Sequence, residues 1–569
     1  INGSDQRVNS ARENAVPVHK WVTLAYTQQG NDARLYINGV MVAQNTNMTN
    51  RMGGAYNENE HAYIAKSPFP SDPTAIGRVD NVEIYNRALS EDELSVSLVT
   101  DEEAVQKDAE ALTLGDLSAL TSGQIPLPLD GDFGSYIYWQ TSDPEHLSEN
   151  GIVSPSTEQD VTVTLTATVV YGEARATRTF EAFIPADPNF VKKEPIEILQ
   201  IGDSNTEFGF LTMNMKDILD EQYGEHGTGF VTLNPSSFFA YKKPENVSFS
   251  FSGNWGEYDT AAWGAHEQVK EAPNGLYVKA WDAGSTLTVD FVGSAIDLYY
   301  LSWSGAGSFT VTIDGEDKGT VHQYEPSDDR THKVSFDGLL YGRHQLVLRL
   351  VGDSEVNLYG MDIRVGQDGD RTAIHTFGNG EAHSGDYARI DETIFCSAIE
   401  EIHPDKVVVV LGTNDHGALD YPRPAADVQA DLITILERIK KVIPAENIWL
   451  LSTFDTNDPS KNPESRDMLR EYWKTSFPNA AEETGVNYWN MGEWFGEYDT
   501  NKMVDAWHVN ERYGRVIMQE LYEKLVPQEP AQRKGLVLDY RFDEAEGNVV
   551  VDSAGEFDGM LVGETARGD

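Results

Sequence analysis

The sequence predicts a multidomain chain built around an α/β domain with a parallel sheet. That domain is interrupted by an inserted β-sandwich and preceded by all-β modules. Three observations lead there. The chain has 569 residues, enough for about four domains at a typical 150 residues each. Its hydrophobic pattern changes class along the chain, from period-two strands to strand–helix alternation, back to strands, and again to strand–helix alternation. The runs Ile196-Glu197-Ile198-Leu199-Gln200-Ile201 and Lys406-Val407-Val408-Val409-Val410-Leu411 are near-continuous apolar segments of the kind that a parallel sheet buries on both faces.

Residues 1–100 read as short strands and turns. Trp21–Tyr26 alternates at the strand period, and Arg34–Ile37 runs into Asn38-Gly39, a strong hairpin signal. Gly77–Tyr85 reads as a further strand, after which Ser90 can cap a short acidic helix. The string from Trp21 through Leu35-Tyr36-Ile37-Asn38-Gly39 to Gly77-Arg78-Val79-Asp80-Asn81-Val82-Glu83-Ile84-Tyr85 and Leu89-Ser90 resembles the C-terminal part of a laminin-G-like, concanavalin-type jelly roll. At the far end, Gly535–Asp543 and Asp552-Ser553-Ala554-Gly555 resemble its opening strands, so 535–569 is expected to begin a further such domain.

Residues 102–187 form a second expected β region. Tyr136-Ile137-Tyr138-Trp139, Val161–Val169 and Thr177–Ile184 are strand-like, and two prolines confine the extended Gln124–Leu129 to an edge. This pattern resembles bacterial Ig-like modules. Pro185 and Pro188 punctuate a linker.

The α/β signal occupies 194–237 and 372–527. In the second part Val428, Leu432, Ile435, Leu436 and Ile439 share one helix face, Asn447–Ser452 is a strand, and Asn510–Leu525 a final helix. Between the two parts, 240–366 is strand-like throughout, in runs such as Ser285–Phe291, Ser308–Gly315 and His344–Leu350. It is read as the inserted sandwich. Trp255, Trp263 and Trp303 within it are either sugar-stacking platforms or core residues.

Composition narrows the partners. With 43 basic and 92 acidic side chains the net charge is −49, which repels nucleic acid and anionic membrane surfaces. No apolar run approaches the roughly 18 residues of a membrane span. The single cysteine, Cys396, excludes an intrachain disulfide, and its apolar setting reads as an inert, buried thiol. There is no His-Glu-x-x-His, no cysteine cluster and no phosphate-binding glycine loop.

Three short motifs stand at the ends of α/β elements. Gly202-Asp203-Ser204-Asn205 follows the first strand directly. A serine at a strand-to-helix turn is held away from the sheet, but its hydroxyl needs a base to become nucleophilic. Gly412-Thr413-Asn414-Asp415 follows the Val407–Leu411 strand; Asn414 could donate to a developing oxyanion or merely cap a turn. Asp505-Ala506-Trp507-His508 precedes the last helix, and its spacing lets the carboxylate sit by one imidazole nitrogen while the other faces the serine.

In this order and context the motifs resemble the SGNH (GDSL-type) hydrolase family over 194–237 and 372–527. The resemblance implies a flavodoxin-like three-layer fold and serine esterase chemistry. It assigns Ser204, Asp505 and His508 as the triad, with Ser204, Gly380 and Asn414 forming the oxyanion hole. Within Phe377–Ser384, Gly380 is the chosen main-chain donor and Gly378 the second choice; a slip of one residue would put Glu381 there. The company of lectin-like, Ig-like and inserted carbohydrate-binding-like modules implies an acetylated polysaccharide substrate and a secreted or cell-surface bacterial protein. No cofactor is expected, although structural calcium is compatible with the jelly-roll modules. The competing readings are a lipase or thioesterase of the same class, and a glycan-binding or adhesion protein with a degenerate hydrolase domain.

Overall fold

Strand and helix follow the periodicities of the sequence through most of the residues that the computed structural model describes, which are 22–49, 82–94, 100–236, 242–259, 271–327, 329–366, 371–416, 423–456, 463–526, 549–550 and 559–560. Residues 1–21 and 50–81 of the expected jelly roll, most of 535–569, and Trp263 lie outside the described residues. The chain divides into two units, one drawn from 1–119, 126–142 and 162–183, the other from the remainder.

In the first unit Asp32–Ile37 and Val40–Asn45 form a hairpin, with Leu24–Gln29 on its other edge. Asn38 and Gly39 turn it, both at positive φ (51° and 77°), as a two-residue hairpin loop requires. Ser90 caps the helix Glu91–Leu94 as expected, through its hydroxyl and the Glu93 N–H. Two expectations need correction. Val82–Tyr85 is not a strand: Ile84 is 88% exposed, and among the described residues no ladder partner lies beside it. The second β region opens with a helix, Asp101–Ala111. Thr100 and Glu103 close a capping box at its start, and three acids fill the first turn, where they favour the helix dipole. Tyr136–Thr141, Val161–Tyr171 and Ala174–Ile184 then form a three-stranded sheet over the fully buried Trp139.

The second unit holds a five-stranded parallel sheet. Its strands are β1 (Glu197–Gly202), β2 (Ala373–Gly378), β3 (Lys406–Val410), β4 (Ile448–Leu451) and β5 (Asn487–Trp489), in the order β2-β1-β3-β4-β5. Side chains alternate between two cores. Leu199, Ile201, Val407 and Val409 face one, shared with helices α2 (Glu392–Ile402), α3 (Ala425–Ile439) and α4 (Ser476–Thr484). Ile198, Val408 and Val410 face the other, covered by α1 (Thr212–Tyr223) and α5 (Glu511–Leu525). Cys396 is half-buried on α2, and burial pushes its thiol up to about 11, so it stays protonated. No helix among the described residues is long and apolar enough to cross a membrane.

The insertion is a sandwich of two antiparallel sheets. One contains Trp255–Asp259, Leu276–Ala280, Val356–Arg364, Ala295–Ser302 and Arg330–Phe336; the other contains Val247–Ser252, Thr286–Gly293, Gly342–Val351, Ser308–Ile313 and Glu316–His322. It reaches further back than the expected 240–366, because Gly227–Thr232 pairs antiparallel with Gly360–Arg364. Trp255 and Trp303 pack half-buried against hydrophobic cores.

The insertion also shares a core with the α/β domain. Phe230, Tyr277, Tyr299 and Tyr359 join the core that holds Leu199 and Phe377. A buried ion pair crosses the same boundary: Arg371 donates to both oxygens of Asp362, at 2.6 and 2.8 Å. Removing one partner strands a buried charge. Arg371→Met should therefore cost about 3–5 kcal/mol in chemical denaturation of the full chain, and adding Asp362→Leu should recover most of the loss.

Candidate active site

The carboxyl ends of three neighbouring strands stop level. Gly202 closes β1 opposite Gly378 on β2 and Val410 on β3. The segments that carry Ser204, Gly380 and Asn414 follow these positions, and adjacent strands lie about 4.8 Å apart. Gly202 cannot be larger: a Cβ there would lie 2.2 Å from the Thr206 hydroxyl and 2.8 Å from the Val410 carbonyl oxygen.

Ser204 opens a single helical turn, Ser204–Glu207, capped by the Asp203 side chain, which accepts the Asn205 N–H at 3.0 Å. Asp505–His508 forms a turn held by its own carboxylate. Asp505 Oδ1 accepts the Trp507 N–H at 2.7 Å and the His508 N–H at 2.8 Å. Oδ2 lies 2.8 Å from His508 Nδ1, and His508 Nε2 lies 2.8 Å from Ser204 Oγ. A carboxylate only accepts, so Nδ1 carries the proton and Nε2 accepts from the serine hydroxyl. Partial burial works to raise the Asp505 carboxyl, but hydrogen bonds from the His508 ring and the turn N–H groups outweigh it and hold it below its ordinary value. The arrangement can draw a proton from Ser204 and steady the imidazolium that results. Phe210 stacks on the His508 ring, with centroids 5.2 Å apart, and Phe208 packs against it at 5.7 Å. No motif or periodicity in the sequence marks these two.

Residues 341–512 match the model of the GDSL-like lipase/acylhydrolase family. Over that stretch the chain is similar to ester-hydrolysing domains of the GDSL class. The match spans Gly380, Asn414, Asp505 and His508; Ser204 lies before it and joins them through His508. Residues 1–95 match the concanavalin A-like lectin/glucanases superfamily, and 105–187 the atrophied bacterial Ig domain. No curated protein matches the chain. Among solved structures, a peptidoglycan O-acetylesterase is 16% identical, the alignment covering 58% of this chain and 91% of that one, with a TM-score of 0.44. A family two carbohydrate esterase from Clostridium thermocellum is 15% identical, over 49% of this chain and 99% of that one, with a TM-score of 0.22. An acetylxylan esterase from Geobacillus stearothermophilus is 17% identical, over 28% and 74%, also at 0.22.

The expected oxyanion donors divide. The Asn414 side chain does not fold back into its own turn; its amide donates to the Ala382 carbonyl at 2.9 Å. Gly380 departs from expectation, because its N–H donates to the Glu207 carboxylate. Glu207 is buried at the end of the nucleophile's turn, and a Cβ on Gly380 would lie 2.7 Å from its Oε2. Gly380 thus makes room for Glu207. Within Phe377–Ser384 the left-handed residue is Glu381, at φ 63°, rather than either glycine. Asp415 braces the same loop, accepting from the Ser384 N–H at 2.9 Å and the Ser384 hydroxyl at 2.7 Å, with Arg423 donating to it at 2.8 Å.

His416 lies next to this brace, its Nε2 2.8 Å from the Thr456 hydroxyl and its ring 5.6 Å from Trp507. Burial pushes its pKa down from 6.5 to about 4. Between those values the unfolded state binds more protons, so stability should fall as pH drops through that window, by about 1.4 kcal/mol per unit at most. His416→Gln should flatten this part of the stability–pH curve in denaturant titrations at stepped pH, leaving the slope contributed by other groups.

Proposed function

We propose that the GDSL-type domain removes O-acetyl or similar short acyl groups from a polysaccharide, with Ser204 as nucleophile, His508 as base and then acid, and Asp505 holding the imidazole. The relay of two 2.8 Å hydrogen bonds from Asp505 through His508 to Ser204 carries the reading. Ser204 Oγ attacks the acyl carbonyl carbon while its proton passes to His508 Nε2. The Ser204 N–H and the Asn414 amide meet the developing oxyanion; the Gly380 N–H is committed to Glu207 and is not counted among them. Collapse breaks the bond to the sugar oxygen, which takes the proton from His508. Water then attacks the acyl-serine by the same route and releases the acid.

A short acyl group is supported by the closeness of the approach: Ser204 is only 9% exposed, with Phe208 and Phe210 packed about its base. A glycan is supported by the lectin-type match at 1–95 and by the sandwich built into the same unit. A surface carrying −49 also favours uncharged polymers over anionic ones. The same reading has the enzyme working outside a bacterial cell or on its surface. It calls for no metal or cofactor in the reaction.

The deciding assay is acetate release from acetylated polysaccharides set against hydrolysis of long-chain acyl esters. Preference for the long chains would replace this reading with a lipase or thioesterase. Ser204→Ala should abolish turnover while the protein stays folded; substantial turnover in a pure, folded variant would remove Ser204 as nucleophile. Asn414→Ala should lower kcat by roughly 10²–10³ with little change in KM. A near-normal kcat in that variant would leave Asn414 a structural tie to Ala382.

A further inference from the structure

We propose that Asn274 is a positioning residue through which the inserted sandwich sets the loop after β2, and with it the oxyanion side of the site. The inference rests on the esterase reading above. Asn274 lies just before the strand Leu276–Ala280. Its Oδ1 accepts the Leu276 N–H at 3.2 Å, which fixes the side chain. Its Nδ2 then donates across the boundary to the carbonyl of Gly378, the last residue of β2, at 3.1 Å. In return, Asn379 Nδ2 donates to the Asn274 carbonyl at 2.7 Å. Both asparagines are buried, at 3% and 2% exposure, so each bond would be costly to leave unmade.

Asn379 carries the connection onward. Its N–H donates to the Gly202 carbonyl at 3.0 Å, two residues before the nucleophile, and its carbonyl accepts the Ala382 N–H at 3.3 Å. Ala382 is the residue whose carbonyl holds the Asn414 amide. A continuous path of buried hydrogen bonds therefore runs from the insertion to both Gly202 and the proposed oxyanion donor. Phe230 of the sandwich supports it from behind, edge-on to Phe377 with centroids 5.0 Å apart. A module that only gathered substrate would change KM on polysaccharide. An insertion that shapes the loop acts on kcat, even for a substrate too small to touch its surface.

The test uses the full chain and a small aryl acetate. Asn274→Ala should lower kcat on the order of 10-fold or more with KM within about two-fold. Asn274→Asp keeps the acceptor for Leu276 and loses the donor to Gly378, and it should give a similar loss. Asn379→Ala should do the same, and the double variant Asn274→Ala with Asn379→Ala should lose little more than the worse single, because the two residues act on one loop. Near-UV circular dichroism and denaturation midpoints identify folded variants; if Asn274→Ala fails to fold, Asn274→Asp and Asn379→Ala carry the test. Wild-type kcat in folded Asn274 variants, or losses that multiply in the double, would overturn the proposal. Ser204→Ala serves as reference. An inactive Ser204→Ala beside fully active Asn274 variants removes only this inference, whereas an active Ser204→Ala removes the esterase reading itself.

Discussion

Parallel strands that end in register give the site its location. Once Gly202, Gly378 and Val410 lie side by side, the chain beyond each must turn at the same sheet edge. Each turn then meets the next through short polar contacts. Asp203 caps the nucleophile's turn, Glu207 at its end takes the Gly380 N–H, and Asn414 takes the Ala382 carbonyl. Register is in turn secured by alternation, since β1 and β3 each bury both faces and a slip of one residue would exchange the two cores. Packing far from Ser204 thereby fixes distances close to it.

Aromatic rings and a carboxylate share the control of His508. Asp505 fixes which nitrogen carries the proton, while the stacked face of Phe210 limits rotation of the ring. The Asp505 carboxylate is partly exposed, and the hydrogen bonds it accepts together outweigh the burial that works to raise it. On the other side of the site the polar groups are almost wholly enclosed: Asp415, Ser384, Asn379 and Asn274 all fall below 4% exposure. The proton-transfer half thus lies nearer solvent, and the half that holds the loop lies in the interior, where hydrogen bonds are stronger and more rigid.

The sequence revealed what is local and missed what is distant. Ser204, Asp505 and His508, which the fold joins by hydrogen bonds, stand out in the sequence because each lies in a short motif at the end of a recognisable element, and the valine run of β3 is unambiguous. The helix at Asp101–Ala111 precedes a region of strand periodicity that masks it, although Thr100 and Glu103 form the capping pair that announces it. Gly380 reads as a free donor because its partner Glu207 is 173 residues away in the chain, and no local pattern distinguishes a glycine that offers its N–H from one that makes room for a neighbour. Asn274 and Asn379, 105 residues apart, are ordinary loop asparagines until the fold joins them.

The same separation bears on how the protein comes to be folded. Ile196 and Thr372 are hydrogen-bonded although 176 residues apart, so the first two strands of the parallel sheet begin at opposite ends of a very long loop. Closing such a loop as a random chain is entropically unfavourable and slow. The antiparallel pairing of Gly227–Thr232 with Gly360–Arg364 brings the two ends of that loop together from within. The insertion is in this sense a tether as well as a domain. Its own assembly supplies the proximity that β1 and β2 lack in the chain, and both sheet neighbours of β1 are made only after the whole sandwich, which ends at Arg364.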